Sequence, residues 1–215
     1  MVVMWASVLE ADNSSFVLFG REPGQYTHRQ SATNWNFTAA DANPDGLQFL
    51  HRAVLTGLVP GQRYYYRAYS GFGYSNEYFF TAKREGNDWV PKLLVYGDMG
   101  KDGGAPTLPR LIQEVAQGDI TAIIHVGDFA YDLHDNGGVR GDQFMERIER
   151  IAAYVPYMTC PGNHEIAYNF SHYRQLESEH VVFLGPGQRS LHRVFFRGLL
   201  CQSRMTLRAI RLAGE

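Results

Sequence analysis

The chain has 215 residues, with 20 Lys and Arg against 22 Asp and Glu, a formal net charge of −2. Hydrophobic residues at 45% supply a packed core, which excludes extensive disorder, and no block of like charge precedes the C-terminal tail, which argues against a nucleic-acid or membrane-surface partner. Cys160 and Cys201 are too few for a disulfide framework or a thiolate zinc cluster, and no stretch is long and apolar enough to span a bilayer.

Met1 to about Ala82 reads as all β. Val2–Leu9 is rich in β-formers and has no basic region ahead of it, so it reads as a strand and not as a signal peptide; as written, the chain is expected to carry no address for export. Further runs follow at Ser15–Phe19, ended by Gly20 and the Pro23-Gly24 turn, at Phe49–Leu58, and at Glu77–Ala82. Between them, Tyr64, Tyr66 and Ala68 alternate with Tyr65, Arg67 and Tyr69, so the two sets face opposite sides of a strand. Short strands with turn signals predict a β-sandwich. The phrase Leu58-x-Pro60-Gly61-x-x-Tyr64-x-Tyr66 resembles fibronectin type III domains, in which such a tyrosine anchors a corner. Sequons at Asn13, Asn36 and Asn169 give weak support for a secretory origin.

Lys83–Pro91 is the expected linker. The rhythm then changes. Lys92–Tyr96 is an apolar run ending at Gly97-Asp98. Pro106–Gln117 has helical spacing through Leu108, Leu111, Ile112 and Val115. Thr121–Val126 ends at Gly127-Asp128, and Asp142–Tyr154 is helical through Phe144, Met145, Ile148, Ile151 and Ala152. Pro156–Cys160 ends at Gly162-Asn163. This β-α-β-α-β order predicts parallel strands covered by helices.

Each of the three strands runs into a glycine and then an acid or amide. Sites in parallel sheets form at the carboxyl ends of strands, so Asp98, Asp128 and Asn163 are expected along one sheet edge. Neighbouring carboxylates repel, and bound cations remove the conflict. Carboxylate, amide and phenolate oxygens suit hard ions, and two such ions clamp the attacking and leaving oxygens of a phosphoryl displacement. Generic nucleotide binding is disfavoured, since neither G-x-G-x-x-G nor a P-loop is present.

Gly97-Asp98-Met99-Gly100, Gly127-Asp128-Phe129-Ala130-Tyr131 and Gly162-Asn163-His164-Glu165 match GDxG, GDxxY and GNH[DE] in order and spacing. In this the chain resembles the calcineurin-like metallophosphoesterases, and Tyr131 together with a leading β domain resembles the iron/zinc purple acid phosphatases among them. The resemblance implies a fold that is mainly β plus α/β, with a fibronectin III-like sandwich at residues 1–84, the first β-α-β-α-β half of a metallophosphoesterase domain at 92–187, and a divergent basic tail at 188–215. It implies a dinuclear centre of Fe(III) with Zn, Fe(II) or Mn. Asp98 and Tyr131 would bind the ferric ion, Asp128 would bridge, and Asn163 would bind the divalent ion. His164 would touch the phosphate or leaving group, and Glu165 matches its motif without a defined role. The implied activity is acid phosphatase hydrolysis of small phosphate monoesters by a metal-bound hydroxide, in a secreted or lysosomal protein.

The family's VxxH and GHxH motifs, which supply three histidine ligands, do not occur in the 215 residues. His172, His180 and His192 read as structural. The tail from Gln188 holds six Arg, and a basic amphipathic helix over Leu199–Leu212 is one option for it. The expectation is therefore a chain truncated after the third motif, with under-coordinated metals and a bare face on its parallel sheet. The alternative function is an inactive isoform or fragment acting as a binding module.

Overall fold

The fold is that of a computed structural model, which describes residues 1–8, 14–37, 49–71, 73–101, 106–177 and 206–209. Seven strands come first: β1 Val2–Ser7, β2 Phe16–Gly20, β3 His28–Ser31, β4 Thr33–Asn36, β5 Phe49–Val54, β6 Arg63–Tyr69 and β7 Tyr78–Thr81. They form two antiparallel sheets in the orders β1-β5-β4 and β3-β2-β6-β7. Val3, Trp5, Ala53 and Leu55 of one sheet pack against Val17, Phe19, Tyr64, Tyr66, Ala68, Tyr78 and Phe80 of the other. The expected alternation in β6 holds, with Tyr64, Tyr66 and Ala68 buried and Tyr65, Arg67 and Tyr69 half-buried. Tyr64 also anchors a corner, its hydroxyl accepting the Val59 N–H at 3.0 Å.

The remaining elements are β8 Lys92–Tyr96, α1 Thr107–Ala116, β9 Ala122–Val126, α2 Val139–Ala152, β10 Tyr157–Cys160, a 3₁₀ turn at Asn163–Glu165, α3 Ala167–Glu177 and β11 Thr206–Ala209. The third sheet has the order β10-β9-β8-β11, and every pairing in it is parallel. The row Leu94, Ile123 and Tyr157 meets Leu108, Leu111 and Val115 of α1 and Phe144 and Ile148 of α2 in one core. The opposite row, Val95, Ile124 and Met158, is half-buried, so that face is partly covered where a bare one was expected. Within 199–212, for which a helix was one option, residues 206–209 extend as β11 beside β8, a register that gives the edge of β8 hydrogen-bonding partners. His172 is buried, with its ring edge-on to Phe37, whereas Cys201, His180 and His192 lie outside the described residues.

The two halves share a wall. All six residues of β1 are buried, because Val3 and Trp5 face the sandwich core while Val2 and Met4 enter the α/β core. This double burial explains why the strand reads as a continuous apolar run. The Tyr66 hydroxyl donates to the Ala153 carbonyl at 2.8 Å, and the Tyr78 hydroxyl donates to the buried Glu149 carboxylate. Among the described residues no helix is long and apolar enough to cross a membrane.

Candidate functional site

The site is assembled where β8, β9 and β10 end. The ladder continues one step past the strands, with Asp98 N–H donating to Gly127 O at 3.1 Å and Gly127 N–H donating to Cys160 O at 2.9 Å. These bonds bring the three glycine-led turns side by side. The glycines are needed for close approach. A Cβ on Gly97 would stand 2.3 Å from the Val126 carbonyl oxygen, and one on Gly162 would stand 2.2 Å from Asp128 Oδ1 and 2.6 Å from Asp128 N. The Gly162→Ala variant must therefore displace Asp128 or widen the turn. It is expected to cost about 1–3 kcal/mol, the usual range for overpacking, read as a lowered midpoint in urea denaturation. An unchanged midpoint would show that the turn opens freely.

The backbone is strained here. Asp98, Asp128, Tyr131 and Asp132 have φ of 52°, 49°, 49° and 85°. Aspartate tolerates the left-handed region, but a tyrosine there is rare, and such residues cost of order 1–3 kcal/mol each and persist only where their surroundings over-determine them. The turn swings the Tyr131 hydroxyl to 3.2 Å from Asp98 Oδ1, to which it donates. Two groups far apart in the sequence, expected on one ion, are thereby in contact. Burial, the bond to Asp98 and the charges of Asp98, Asp128 and Glu165 push the Tyr131 phenol up. A cation among these groups inverts that logic.

Asp128 is buried at the centre, its Oδ1 accepting the His164 N–H at 3.1 Å. Asn163 opens the 3₁₀ turn and is exposed. The His164 ring stands edge-on to Tyr131, with centroids 4.6 Å apart, and its Nδ1 lies 2.9 Å from Asp132 Oδ1. The bond to Asp132 raises the His164 pKa against a smaller opposing effect of burial, and the charges of Asp132, Asp128 and Glu165 add to the rise. With Nδ1 held by Asp132, the ring's other nitrogen is Nε2.

Two participants have no role assigned by the sequence. Asp132 follows Tyr131 directly, and the signal for it is an acid adjoining the GDxxY motif. Glu165 belongs to the matched GNH[DE] motif, but only the fold reveals its bonds. It is 3% exposed, and its carboxylate accepts N–H groups from Asp128 at 2.9 Å, Phe129 at 3.0 Å and Gly162 at 2.8 Å.

The donor set suits a hard cation: two carboxylates, a phenol and an amide, all oxygen. Among the described residues no three His, Cys, Asp or Glu side chains stand close enough together to hold a metal ion; Asp98, Asp128, Tyr131 and Asn163 stand in the three turns that follow β8, β9 and β10.

Beneath the site, His125 of β9 is fully buried, with its Nδ1 2.8 Å from the Tyr157 hydroxyl, which lies 2.6 Å from that of Tyr96. Burial lowers the His125 pKa to about 3. The folded chain refuses a proton that the unfolded chain takes up near its ordinary value of about 6.5, so stability falls as pH drops below that value. The slope is at most about 1.4 kcal/mol per pH unit, or about 2 kcal/mol lost by about pH 5. Thermal melts from about pH 4.5 to 7.5, which bracket the unfolded value, are expected to show this decline in the parent chain and a flatter profile in His125→Gln. Parallel profiles would rule His125 out as its source.

A family model for the purple acid phosphatase N-terminal domain matches residues 1–82, and one for the calcineurin-like phosphoesterases matches residues 91–202. The chain is 41% identical over 174 residues to acid phosphatase type 7 of Danio rerio, covering 81% of this chain and 39% of that protein. It is 49% identical over 126 residues to acid phosphatase type 7 of Mus musculus, covering 59% of this chain and 28% of that protein. The chain thus spans well under half the length of these relatives. The structure of a purple acid phosphatase from yellow lupin (Lupinus luteus) seeds superposes with a TM-score of 0.61 at 29% identity, covering 76% of this chain and 33% of that one.

Proposed function

This chain belongs to the purple acid phosphatases, with their calcineurin-like phosphoesterase domain, and from that premise we propose that it acts in the hydrolysis of small phosphate monoesters at a dinuclear metal centre. The observation that supports this reading most is the meeting of Asp98, Tyr131, Asp128 and His164 at one sheet edge, through the contacts Tyr131–Asp98, His164–Asp128 and Tyr131–His164. Asp98, Asp128, Tyr131 and Asn163 would hold the metals, Fe(III) with Zn, Fe(II) or Mn. When bound, the ions supply charge neutralisation for the phosphate and acidify a water.

The chain's own residues do the rest. The Tyr131 phenol and the Asp98 carboxylate fix each other's position. Asp128 ties the β9 loop to the backbone of His164. Asp132 holds Nδ1 of His164 so that Nε2 faces the phosphate, where it orients the ester and gives a proton to the departing oxygen. The sandwich at 1–84, the phosphoesterase half at 92–187 and the tail at 188–215 remain the proposed division. Exposed Asn36 and Asn169 support a glycoprotein that is secreted or lysosomal.

The test is direct. The purified full chain is assayed for iron, zinc and manganese per mole, and for p-nitrophenyl phosphate hydrolysis from acid to neutral pH with and without chelator. Bound metal with chelator-sensitive hydrolysis is expected. Hydrolysis indifferent to chelator would refute the metal reading, and bound metal without hydrolysis would favour a binding module.

A further inference from the structure

We propose that Glu165 is the positioning residue of this site: one buried carboxylate that sets the place of Asp128 through backbone amides of two loops. The inference rests on the phosphatase reading for the consequence it assigns to metal binding, but its geometry is independent of that reading.

Oε2 accepts from Asp128 N and Gly162 N, and Oε1 accepts from Phe129 N, at 2.9, 2.8 and 3.0 Å. The loops after β9 and β10 are thus joined through a single side chain. The joint is reciprocal. Glu165, on the second loop, gathers amides of the first, while Asp128, on the first, accepts the amide of His164 on the second at 3.1 Å. Gly162 lies so close under Asp128 that no Cβ fits between them. Asp128 itself follows a left-handed Gly127 and is left-handed in its own right, with φ of 72° and 49°. Two successive residues in that region need an outside restraint, and the Asp128 and Phe129 amides are where Glu165 applies it.

An anion is the group this place requires. Three N–H donors converge on two oxygens, an arrangement that charge-assisted bonds strengthen about twofold over neutral ones. A glutamine has one acceptor oxygen, and its NH₂ would confront either Phe129 N–H or the Asp128 and Gly162 pair. An aspartate is one methylene too short to reach all three. A carboxylate is also a costly choice, since it adds a negative charge next to Asp128, whose backbone N–H it accepts. A merely structural tie could be neutral and sited elsewhere.

The experiment uses the full chain and its Glu165→Gln variant, with circular dichroism to confirm folding. Amide hydrogen exchange is read at Asp128, Phe129, Gly162 and His164. Glu165 does not accept from the His164 amide, which reports on the Asp128 carboxylate. Exchange about tenfold faster at His164 as well as at Phe129 is expected, with Mn²⁺ affinity by calorimetry falling about 10–100-fold, the range for outer-shell partners of metal ligands. Faster exchange at Phe129 with an unchanged His164 amide would overturn the proposal, because Asp128 would then keep its place without Glu165. Unchanged exchange throughout would overturn it equally. If Glu165→Gln does not fold, Glu165→Asp, which keeps the charge, is read by the same criteria. A parent chain that holds no iron, zinc or manganese would refute the phosphatase reading, while the exchange rates would still decide the role of Glu165.

Discussion

Asp128→Asn is expected to lose metal binding and hydrolysis while gaining stability in the presence of chelator. The substitution keeps the side chain's shape and leaves an oxygen to accept the His164 amide, so the β9–β10 connection survives. It removes the charge. Without cations, the charge of Asp128 adds to those of Asp98, Asp132 and Glu165 on the same and adjoining turns, and like charges near one another disfavour one another. Removing the central one relieves the repulsion, and the thermal midpoint in chelator should equal or exceed that of the parent chain. With Mn²⁺ or Zn²⁺ added, the order reverses. The parent gains roughly 2.7 kcal/mol at a metal concentration about a hundred times Kd, and the variant gains nothing. Loss of affinity should exceed the roughly 10–100-fold typical of an outer-shell partner, because Asp128 would bridge both ions. Melting both proteins in both conditions makes a four-way comparison. A variant less stable than the parent in chelator would mean that Asp128 is a structural group and not a metal ligand held under strain. Equal stabilisation of both by metal would remove Asp128 from the centre altogether.

That trade of stability for function explains which features are legible in the residues and which are not. The α/β half is legible because its strands are near-continuous apolar runs and its helices keep a clean period; β8 falls on Lys92–Tyr96 as expected, and α1 and α2 differ only at their ends. Helix α2 begins at Val139, ahead of the expected Asp142, since its first turn, Val139-Arg-Gly-Asp142, offers one exposed valine and no apolar period. In the sandwich, β3 and β4 escape a sequence reading because His28–Ser31 is polar and mostly exposed and Thr33–Asn36 offers only Trp35 to the core, so neither alternation nor an apolar run marks them. At the site, Asp98, Asp128 and Asn163 announce themselves by following glycines at strand ends, and His164 by adjoining Asn163. The contacts between them do not, because a left-handed Tyr131 contradicts the local preference of a tyrosine. Local rules fail where the fold holds residues in strained places: among the described residues four of the eight left-handed non-glycine positions, Asp98, Asp128, Tyr131 and Asp132, lie at the site, and three more, Tyr168, Asn169 and Phe170, kink the start of α3.

The same reasoning gives the second large effect, which separates chemistry from metal binding. His164→Ala is expected to lower kcat by about 10²–10⁴, the usual contribution of a positioned acid or base, while metal content stays that of the parent. The reason for expecting the loss in kcat is geometric. His164 meets the site through its ring, edge-on to Tyr131, and its Nδ1 bonds to Asp132, not to Asp98 or Asp128. Asp132→Asn should do less, since an amide oxygen can still accept from Nδ1–H at 2.9 Å but no longer with a charge behind it. A loss of about tenfold, borne mainly by kcat, fits an outer partner that orients the ring. The decisive measurement is the double variant. If Asp132 acts only through His164, then once the imidazole is gone its substitution has nothing left to disturb, and the double variant should be no slower than His164→Ala alone. Full additivity of the two losses would place Asp132 in direct contact with substrate or metal, and a fall in metal content in His164→Ala would move the histidine from the phosphate to the metal centre.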